Sequence, residues 1–364
     1  MLLNFMSVIL IDFEPFLYKW DQFSLTIYGI LFASGFAVSR FVVKYMFLRE
    51  GRWRIETDML LIYMILGTTI GARLGHIIFY EPHLLNSVST ALMIWKGGLS
   101  SHGTSVGILV AVALYTYHWD SSKTKFIRTK REGYSYLQYI DRMVIVVALG
   151  GCFIRVGNFV NAESLGKPAS KVFGVIHSWP LERDILSRLG SIDQIDLTLG
   201  KDDSLMLLLH FHDRVQDSMI VAGYGQNIIR KRLKILAKSE GNNFGASAPI
   251  IMKKHQGHFD LSTAIKGIPR YPVQLYEALV YLILFLYLFK VWNQNWSVLP
   301  TGKIFGIFLV VLFGSRVFLE FFKEETSKFN FSWLNMSQML SIPFFLMGIY
   351  LLYETSKSSI DHEV

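Results

Sequence analysis

The sequence predicts an all-α polytopic membrane protein with about seven transmembrane helices. Hydrophobic residues make up 52% of the 364 positions and charged residues only 18%, against about a quarter in a typical soluble protein. The mean hydropathy is +0.36. This composition excludes a disordered chain and argues against an ordinary soluble enzyme. The formal charge of +8 reflects an excess of Lys and Arg. In an apolar chain such an excess is typical of cytoplasmic membrane loops, so no nucleic-acid partner is predicted.

The predicted spans follow from length and apolarity. A membrane helix needs roughly 20 mostly apolar residues to cross about 30 Å of hydrocarbon. The first twenty residues carry Asp12 and Glu14 and lack a basic start, so no cleavable signal peptide is predicted. Arg73 and Arg155 interrupt the second and fourth spans. The segments that meet or nearly meet the requirement are 25–48, 59–80, 98–119, 140–160, 273–292, 302–322 and 338–353.

The orientation follows from Lys and Arg in the short loops, which favour the cytoplasmic side. Twelve of them lie near 49–58, 118–142 and 290–303 and in the C-terminal tail, whereas four lie in the opposite loops. This asymmetry predicts an N-terminus outside and a C-terminus in the cytoplasm.

The segment 167–269 separates the fourth and fifth spans and is too long for a structureless loop. We expect a small external α+β insert between two membrane parts, 1–166 and 270–364. The apolar stretches 205–212 and 219–224 are compatible with short strands, and 227–237 with a basic helix. Dispersed histidines such as His210 and His212 are usually structural, so no metal site is predicted. The single cysteine, Cys152, excludes an internal disulfide.

Charged and polar side chains interrupt the spans at one depth, toward the outer leaflet. Such side chains are costly in hydrocarbon and normally face a cavity or a partner. Taken alone, each side chain has an ordinary explanation. An arginine can extend to the lipid head groups, and an i, i+4 pair can lie on one helix face. A histidine can be a hydrogen-bonded residue of the helix packing. Their coincidence on six helices favours a common site. The residues are Tyr28, Arg73, His102, Arg155, Asn158, Asn161, Glu163, Gln274, Tyr276, Glu277, Arg316 and Glu320.

These residue types together favour the binding of a phosphate. Guanidinium donors match phosphate oxygens in pairs, so arginines facing one cavity form a phosphate clamp. Carboxylates orient such arginines, and a histidine exchanges protons near neutral pH. The combination indicates a phospholipid head group held for reaction at the outer face of a membrane.

The end of the fourth span carries the run Arg-Val-Gly-Asn-Phe-Val-Asn-Ala-Glu-Ser-Leu-Gly at 155–166. Further blocks stand in order at 28–29, 71–75, 97–103, 270–277 and 314–322, with Gln338 opening the last span. These blocks resemble the signature sequences of the bacterial prolipoprotein diacylglyceryl transferases, whose pattern in the first run is Arg-x-Gly-Asn-Phe-x-Asn-x-Glu followed by Gly. The sequence departs from the family where His-Gly-Gly reads His102-Gly103-Thr104 and Arg-His-Pro reads Arg270-Tyr271-Pro272.

The resemblance implies transfer of the diacylglyceryl group from phosphatidylglycerol to the lipobox cysteine of a preprolipoprotein, in the bacterial cytoplasmic (inner) membrane. A thioether forms and sn-glycerol 1-phosphate leaves. No metal or organic cofactor is expected, and the partners are membrane lipid and the preprolipoprotein signal peptide. From the residues alone, two alternatives stay open: a secondary transporter of an anionic solute, or a non-catalytic lipid-binding assembly protein.

The resemblance also implies residue roles. Arg155 and Arg316 are expected to clamp the phosphate, and His102 is the candidate base for the cysteine thiol. Glu163 and Glu320 are expected to orient the two arginines. The other residues expected to shape or support the head-group pocket are Tyr28, Arg73, Asn158, Gly166 and Glu277.

Overall fold

The computed structural model describes residues 9–20, 23–52, 54–86, 89, 100–120, 127–130, 133–170, 172–187, 189–200, 204–212, 215, 217–231, 233, 244–247, 249–255, 258–324, 330–331 and 334–360. The helices in these ranges are α1 (Ile27–Arg49), α2 (Arg54–Phe79), α3 (Ser101–Thr116), α4 (Tyr136–Val160), α5 (Trp179–Leu186), α6 (Ser218–Gly223), α7 (Val273–Asn295), α8 (Lys303–Leu319) and α9 (Met336–Ile360). A π-helix (Tyr224–Ile229) follows α6, and 3-10 helices cover Pro82–Asn86 and Glu320–Phe322.

The strands in the described ranges have two to ten residues and form five separate sheets. They are β1 (Ile9–Ile11), β2 (Phe16–Trp20), β3 (Phe23–Thr26), β4 (Tyr117–Asp120), β5 (Ile127–Lys130), β6 (Val175–His177), β7 (Ile192–Leu199), β8 (Ser204–Phe211), β9 (Phe244–Ser247), β10 (Ile251–His255), β11 (His258–Gly267), β12 (Asn330–Phe331) and β13 (Leu334–Asn335). Four sheets are strand pairs: β1 with β6, β2 with β3, β4 with β5 and β12 with β13.

Within the described residues, six helices are long and apolar enough to cross a membrane, which confirms a polytopic membrane protein. They are Ile27–Arg49, Thr57–Phe79, Tyr136–Val160, Val273–Asn295, Lys303–Phe322 and Ser337–Lys357. The predicted span 98–119 corresponds to α3, which has 16 residues and thus a length of about 24 Å. The chain then enters β4 at Tyr117. The sequence pattern overstated this span because Tyr117 and Trp119 are apolar in composition but belong to a hairpin.

The chain divides into two compact units. The first comprises Met1–Leu31, Ile154–Ala278 and Phe318–Met336, and the second comprises Phe32–Phe153, Leu279–Val317 and Ser337–Val364. The predicted insert, 167–269, lies wholly in the first unit. The same unit holds the end of α4 and the start of α7, between which the insert stands in sequence.

The first unit is built around an antiparallel sheet. Its strand order is β10-β11-β8-β7, and β9 also pairs with β11. Alternate residues of β8 are buried, as period-2 patterning requires for a sheet with one covered face. Leu205, Leu207 and Leu209 pack there with Ile185 of α5 and Val221 of α6. The described part of the insert thus contains both helices and strands, and its external position stays a prediction.

Two local predictions in the insert have different outcomes. The strand expected at 205–212 is β8, whereas the strand expected at 219–224 is wrong, because this stretch forms α6 and the start of the π-helix. Asp217 favours the helix because it caps its N-terminus: its side chain accepts a hydrogen bond from the Met219 backbone N–H at 2.7 Å. The helix expected at 227–237 is helical through Lys231 and at Leu233; the rest of it lies outside the described residues.

His210 joins three strands of the sheet. Its Nδ1 lies 3.0 Å from Asp260 Oδ1 on β11, and its Nε2 lies 3.1 Å from Asp196 Oδ2 on β7. His212 Nδ1 lies 3.3 Å from Asp193 Oδ1. These contacts between neighbouring strands agree with the structural interpretation of the insert histidines.

The N-terminal segment is part of the first unit. Strand β1 pairs in parallel with β6, in register Ile9↔Val175. Beyond the strands, the Ser178 N–H donates to the Ile11 carbonyl at 3.0 Å. The rings of Phe16 and Trp179 meet edge to face at 5.3 Å.

Burial shifts the pKa values of two residues next to this strand pair, His177 and Glu182, in opposite directions. Burial lowers the pKa of His177 from 6.5 to about 4. Burial, together with the charges of Asp12 and Glu14, raises the pKa of Glu182 from 4.5 to about 7. The histidine contributes stability above pH 6.5 that is lost as the pH falls through about 4. The glutamate contributes stability below pH 4.5 that is lost as the pH rises through about 7.

Replacing Glu182 with glutamine is therefore expected to change the pH profile of stability. The variant lacks the stabilisation that the protonated Glu182 carboxyl gives at low pH, so the melting temperature of the wild type relative to the variant should fall as the pH rises from 4.5 to about 7. Thermal unfolding of the full chain in detergent at these pH values tests this, and superimposable profiles would contradict it.

The second unit contains a buried polar group beside an apolar core. The Glu50 carboxylate accepts hydrogen bonds from Arg142 Nη2 at 3.0 Å and from Trp292 Nε1 at 2.7 Å, and also from the Tyr134 hydroxyl. The Arg142 guanidinium stacks over the Tyr134 ring, 4.9 Å from its centroid. This group ties the end of α1 to the start of α4 and the end of α7.

Asp141, on α4, caps the start of α8. Its carboxylate accepts from the Gly302 N–H at 2.6 Å and from the Phe305 N–H at 2.8 Å. We expect Asp141→Ala to lower the free energy of unfolding by about 1–3 kcal/mol, because two buried N–H groups lose their acceptor. The matched control is Asp58→Ala, whose ion pair with Arg40 is partly exposed and should contribute less than about 1 kcal/mol. Thermal unfolding in detergent, followed by tryptophan fluorescence, compares the two; equal losses would contradict the capping role.

Candidate functional site

The signature run begins on the last turns of α4 and continues into a tight loop. Asn158 is buried, and its Nδ2 donates to Glu163 Oε2 at 2.9 Å. Asn161 Nδ2 donates to Glu163 Oε1 at 3.2 Å. Ala162 and Ser164 each adopt a left-handed conformation with φ of 54°, so the loop folds back and presents Glu163 to the helix end. The spacing Asn-x-x-Asn-x-Glu thus places one asparagine on each carboxylate oxygen.

Tyr28, near the start of α1, belongs to the same group of residues. A Cβ atom added at Gly157 would lie 2.7 Å from Tyr28 Cδ2, so the glycine of the signature leaves room for the tyrosine ring. The Tyr28 hydroxyl is within electrostatic range of both Glu163 and Arg155. The structure therefore brings Tyr28, Asn158, Glu163 and Arg155 together; that they form the head-group site stays a prediction.

The buried carboxylate of Glu277, near the start of α7, holds two cations. Arg155 Nε lies 3.1 Å from Glu277 Oε2, and Lys323 Nζ donates to Glu277 Oε1 at 2.8 Å. Lys323 Nζ also lies 3.7 Å from Glu320 Oε2. Because Arg155, Glu277 and Lys323 are all largely buried, solvent screens these pairs little.

This geometry adds Glu277 to the carboxylates near Arg155. The sequence assigns the orientation of Arg155 to Glu163 and treats Glu277 as a weaker support. In the structure the ion pair at Arg155 Nε is with Glu277, while both oxygens of Glu163 accept hydrogen bonds from asparagines. Glu277 therefore forms an ion pair with the Arg155 guanidinium, and which carboxylate orients Arg155 stays a prediction.

Arg270 joins the loop after α4 to the segment after α8. Its Nη1 donates to the Gly166 carbonyl at 2.7 Å and to Glu324 Oε2 at 2.6 Å. Gly166 pairs with Lys323 in an antiparallel bridge. A side chain at Gly166 would collide with the Tyr271 backbone oxygen. The backbone of Gly166 thus pairs with Lys323 and brings it to the signature loop. The place of Gly166 in the head-group pocket stays a prediction.

The second unit contains the other predicted residues. Arg73 is buried on α2, which disfavours snorkelling to lipid head groups. His102 lies in the first turn of α3 and Arg316 on α8, close enough for their charges to interact. Among the described residues, none forms a hydrogen bond with the buried Nε2 of His102. The expectation that these residues act together with Arg155 stays a prediction.

Comparison with known proteins decides the family. A sequence model of a protein family, described as "Prolipoprotein diacylglyceryl transferase", matches residues 15–354 of the chain. The chain belongs to this family. Because the prolipoprotein diacylglyceryl transferase family model covers nearly the whole chain, including every span and the insert, the protein is a diacylglyceryl transferase by class.

Named relatives are similar along most of their length. The phosphatidylglycerol–prolipoprotein diacylglyceryl transferase of Tolumonas auensis is 28% identical over 346 residues, which cover 94% of this chain and 96% of the relative. The protein of the same name from Chloroherpeton thalassium is 26% identical over 356 residues, covering 97% and 96%. That of Protochlamydia amoebophila is 28% identical over 298 residues, covering 81% and 56%.

Sequence reasoning missed the contacts that Lys323 and Arg270 make in the first unit. In the sequence, Lys323 follows the sixth span and is interpreted only as one of the four basic residues of the outer loops. The 3-10 helix Glu320–Phe322 and the bridge to Gly166 bring it to Glu277. The signal that could have found it is its i, i+3 spacing from Glu320, a spacing at which helical side chains meet.

Proposed function

We propose that this protein transfers the diacylglyceryl group of phosphatidylglycerol to the lipobox cysteine of preprolipoproteins. The carbon–oxygen bond between the glyceryl carbon and the phosphate breaks, and sn-glycerol 1-phosphate leaves with the bonding electrons. A carbon–sulfur bond forms as the thiol gives up its proton. The observation that carries the proposal is the guanidinium of Arg155, held by the buried carboxylate of Glu277 beside the signature asparagines.

Each proposed role follows from the charge that develops. The departing phosphate gains negative charge, which a pre-oriented guanidinium at Arg155 stabilises. The family resemblance adds Arg316 as a second phosphate ligand and His102 as the base for the thiol, which is mostly protonated at neutral pH. Tyr28, Asn158 and Glu163 contribute the polar wall near Arg155. The nucleophile belongs to the substrate, so Cys152 has no chemical role.

The experiment that tests the function is transfer itself. The purified protein is incubated with phosphatidylglycerol and a lipobox peptide, and the peptide is weighed by mass spectrometry. A diacylglyceryl mass gain is expected for the cysteine peptide and not for its Cys→Ser control. No gain from a folded preparation, also supplied with a full-length preprolipoprotein, would overturn the proposal.

The proposed topology has seven spans in the bacterial cytoplasmic (inner) membrane, with the N-terminus and the insert outside and the C-terminus inside. The support is the asymmetry of Lys and Arg between the two sets of loops. Fusions to alkaline phosphatase, which is active only outside the cytoplasm, test it. A fusion within 167–269 should be active and a fusion after 357 inactive; the reverse pattern would overturn the orientation.

Lys323 is proposed as a positioning residue that acts through Glu277. Lys323→Met should lower kcat/KM for transfer by about 10- to 100-fold, because a small displacement of Glu277 moves Arg155 away from the phosphate. Lys323→Arg, which keeps the charge, should restore most of the activity. The control is Lys290→Met, at an exposed position on α7. Equal kcat/KM values for Lys323→Met and Lys290→Met would contradict this role. So would a loss in Lys323→Arg as large as that in Lys323→Met.

A further inference from the structure

The helical segment 218–231 of the insert carries exposed apolar side chains on its outer side. Met219 is 82% exposed, Ile220 51% and Ile228 42%. The opposite side is also apolar, because Val221 and Ile229 are buried in the core of the sheet. A surface helix normally turns polar residues outward. Apolar side chains that protrude together from such a helix are typical of a surface that contacts another phase or partner.

Basic residues follow these apolar side chains directly. Arg230 and Lys231 are exposed. The sequence continues with Arg232 and Lys234, beyond the continuous described stretch. Apolar side chains beside a basic run are the pattern of segments that lie in the interface of an anionic membrane, where the apolar groups enter the acyl boundary and the cations meet phosphate.

The first unit, which contains the segment, also contains the ends of helices that are long and apolar enough to span a membrane. This unit contains the insert together with the end of α4 and the start of α7, both membrane-spanning helices. The Lys167 N–H donates to the Phe322 carbonyl at 2.8 Å, so the first residues of the insert contact the end of a third spanning helix. The insert is thus attached to the ends of three helices that are long and apolar enough to span a membrane.

We propose that segment 218–231 rests on the bilayer, with Met219, Ile220 and Ile228 in the interface and Arg230 and Lys231 at anionic phospholipid head groups. An anionic lipid is the occupant because the charge of the segment is complementary to it. This surface is distinct from the residues around Glu277, and it anchors the insert whether or not transfer occurs.

Spin labels on single cysteines test the proposal in the full chain. In a Cys152→Ala background, a label is attached at Met219→Cys, and the control label is attached at Thr198→Cys, an exposed position on β7. The protein is placed in nanodiscs of phosphatidylglycerol or of phosphatidylcholine, and the accessibility of each label to oxygen and to a water-soluble nickel chelate is measured. Retention of transfer activity in the phosphatidylglycerol nanodiscs verifies that each variant is folded and inserted.

The label at 219 should be protected from the nickel chelate severalfold more than the label at 198, and more in phosphatidylglycerol than in phosphatidylcholine. Arg230→Gln with Lys231→Gln should remove the difference between the two lipids. Equal exposure of the labels at 219 and 198 would overturn the proposal. Protection that is the same in both lipids would overturn the assignment to anionic lipid. Protection that appears only when a signal peptide is added would assign the surface to a protein partner instead.

Discussion

Replacing Arg155 with alanine is expected to lower transfer of the diacylglyceryl group by about 10³-fold, with the protein still folded. The loss corresponds to about 4 kcal/mol of stabilisation of the departing phosphate, the magnitude typical of one pre-oriented electrostatic group. Removing one partner of a buried ion pair often costs about 3–5 kcal/mol of stability, because the other charge is left uncompensated. Here Lys323 remains on Glu277 at 2.8 Å, so the loss of stability should be smaller.

Glu277→Gln, which keeps the shape of the side chain, isolates the orienting role. The variant loses the charge that holds Arg155 Nε at 3.1 Å, and we expect a loss of about 10- to 100-fold in kcat/KM. If Glu277 acts through Arg155, the double variant Arg155→Ala with Glu277→Gln should be no worse than Arg155→Ala alone.

The measurement is kcat/KM with phosphatidylglycerol in mixed micelles and a lipobox peptide, for both single variants and the double variant. Arg183→Ala, at an exposed position on α5, serves as the control for loss of a surface arginine and should retain normal activity. Losses that multiply in the double variant would show that Glu277 acts independently of Arg155. Near-normal transfer by Arg155→Ala would remove Arg155 from the phosphate site.

Much of the membrane fold could be predicted because long apolar runs leave few alternatives. Each of the six helices identified as long enough to span corresponds to a predicted segment. Short segments were harder, since a run of six apolar residues fits a strand or a buried helix equally well. At 219–224 the helix is selected by the cap from Asp217. At 98–119 the hairpin that begins at Tyr117 shortens the helix, a tertiary preference that hydropathy does not register.

The candidate site divides in the same way between local and distant contacts. Asn158 and Glu163 are five residues apart, and their hydrogen bond follows from a spacing visible in the sequence. The pairs of Glu277 with Arg155 and Lys323 join residues far apart in the chain, and a single sequence does not say which of these charges contact each other. Arg142 shows the same limit: the orientation count treats it as a loop charge, although it is buried against Glu50.

Introducing a side chain at Gly71 is expected to separate α2 from α3 and to destabilise the second unit. A Cβ atom at Gly71 would collide with the Gly103 carbonyl oxygen and would lie 2.7 Å from Gly107 Cα. Both neighbours are backbone atoms, which cannot rotate away as a flexible side chain can. Alanine gains about 1 kcal/mol of helix propensity over glycine, but overpacking costs about 1–3 kcal/mol. Valine adds two more carbons, so Gly71→Val should be the more destabilised variant.

Gly150→Ala on α4 is the matched control, because a Cβ atom there would meet nothing within 4 Å. It should melt at or above the wild-type temperature, whereas Gly71→Ala and Gly71→Val should melt progressively lower in detergent, as followed by tryptophan fluorescence. Activity should fall with them, since α2 carries Arg73 and α3 carries His102, and separating the helices moves these side chains apart. A Gly71→Val protein that melts with the wild type would show that the two helices do not approach this closely.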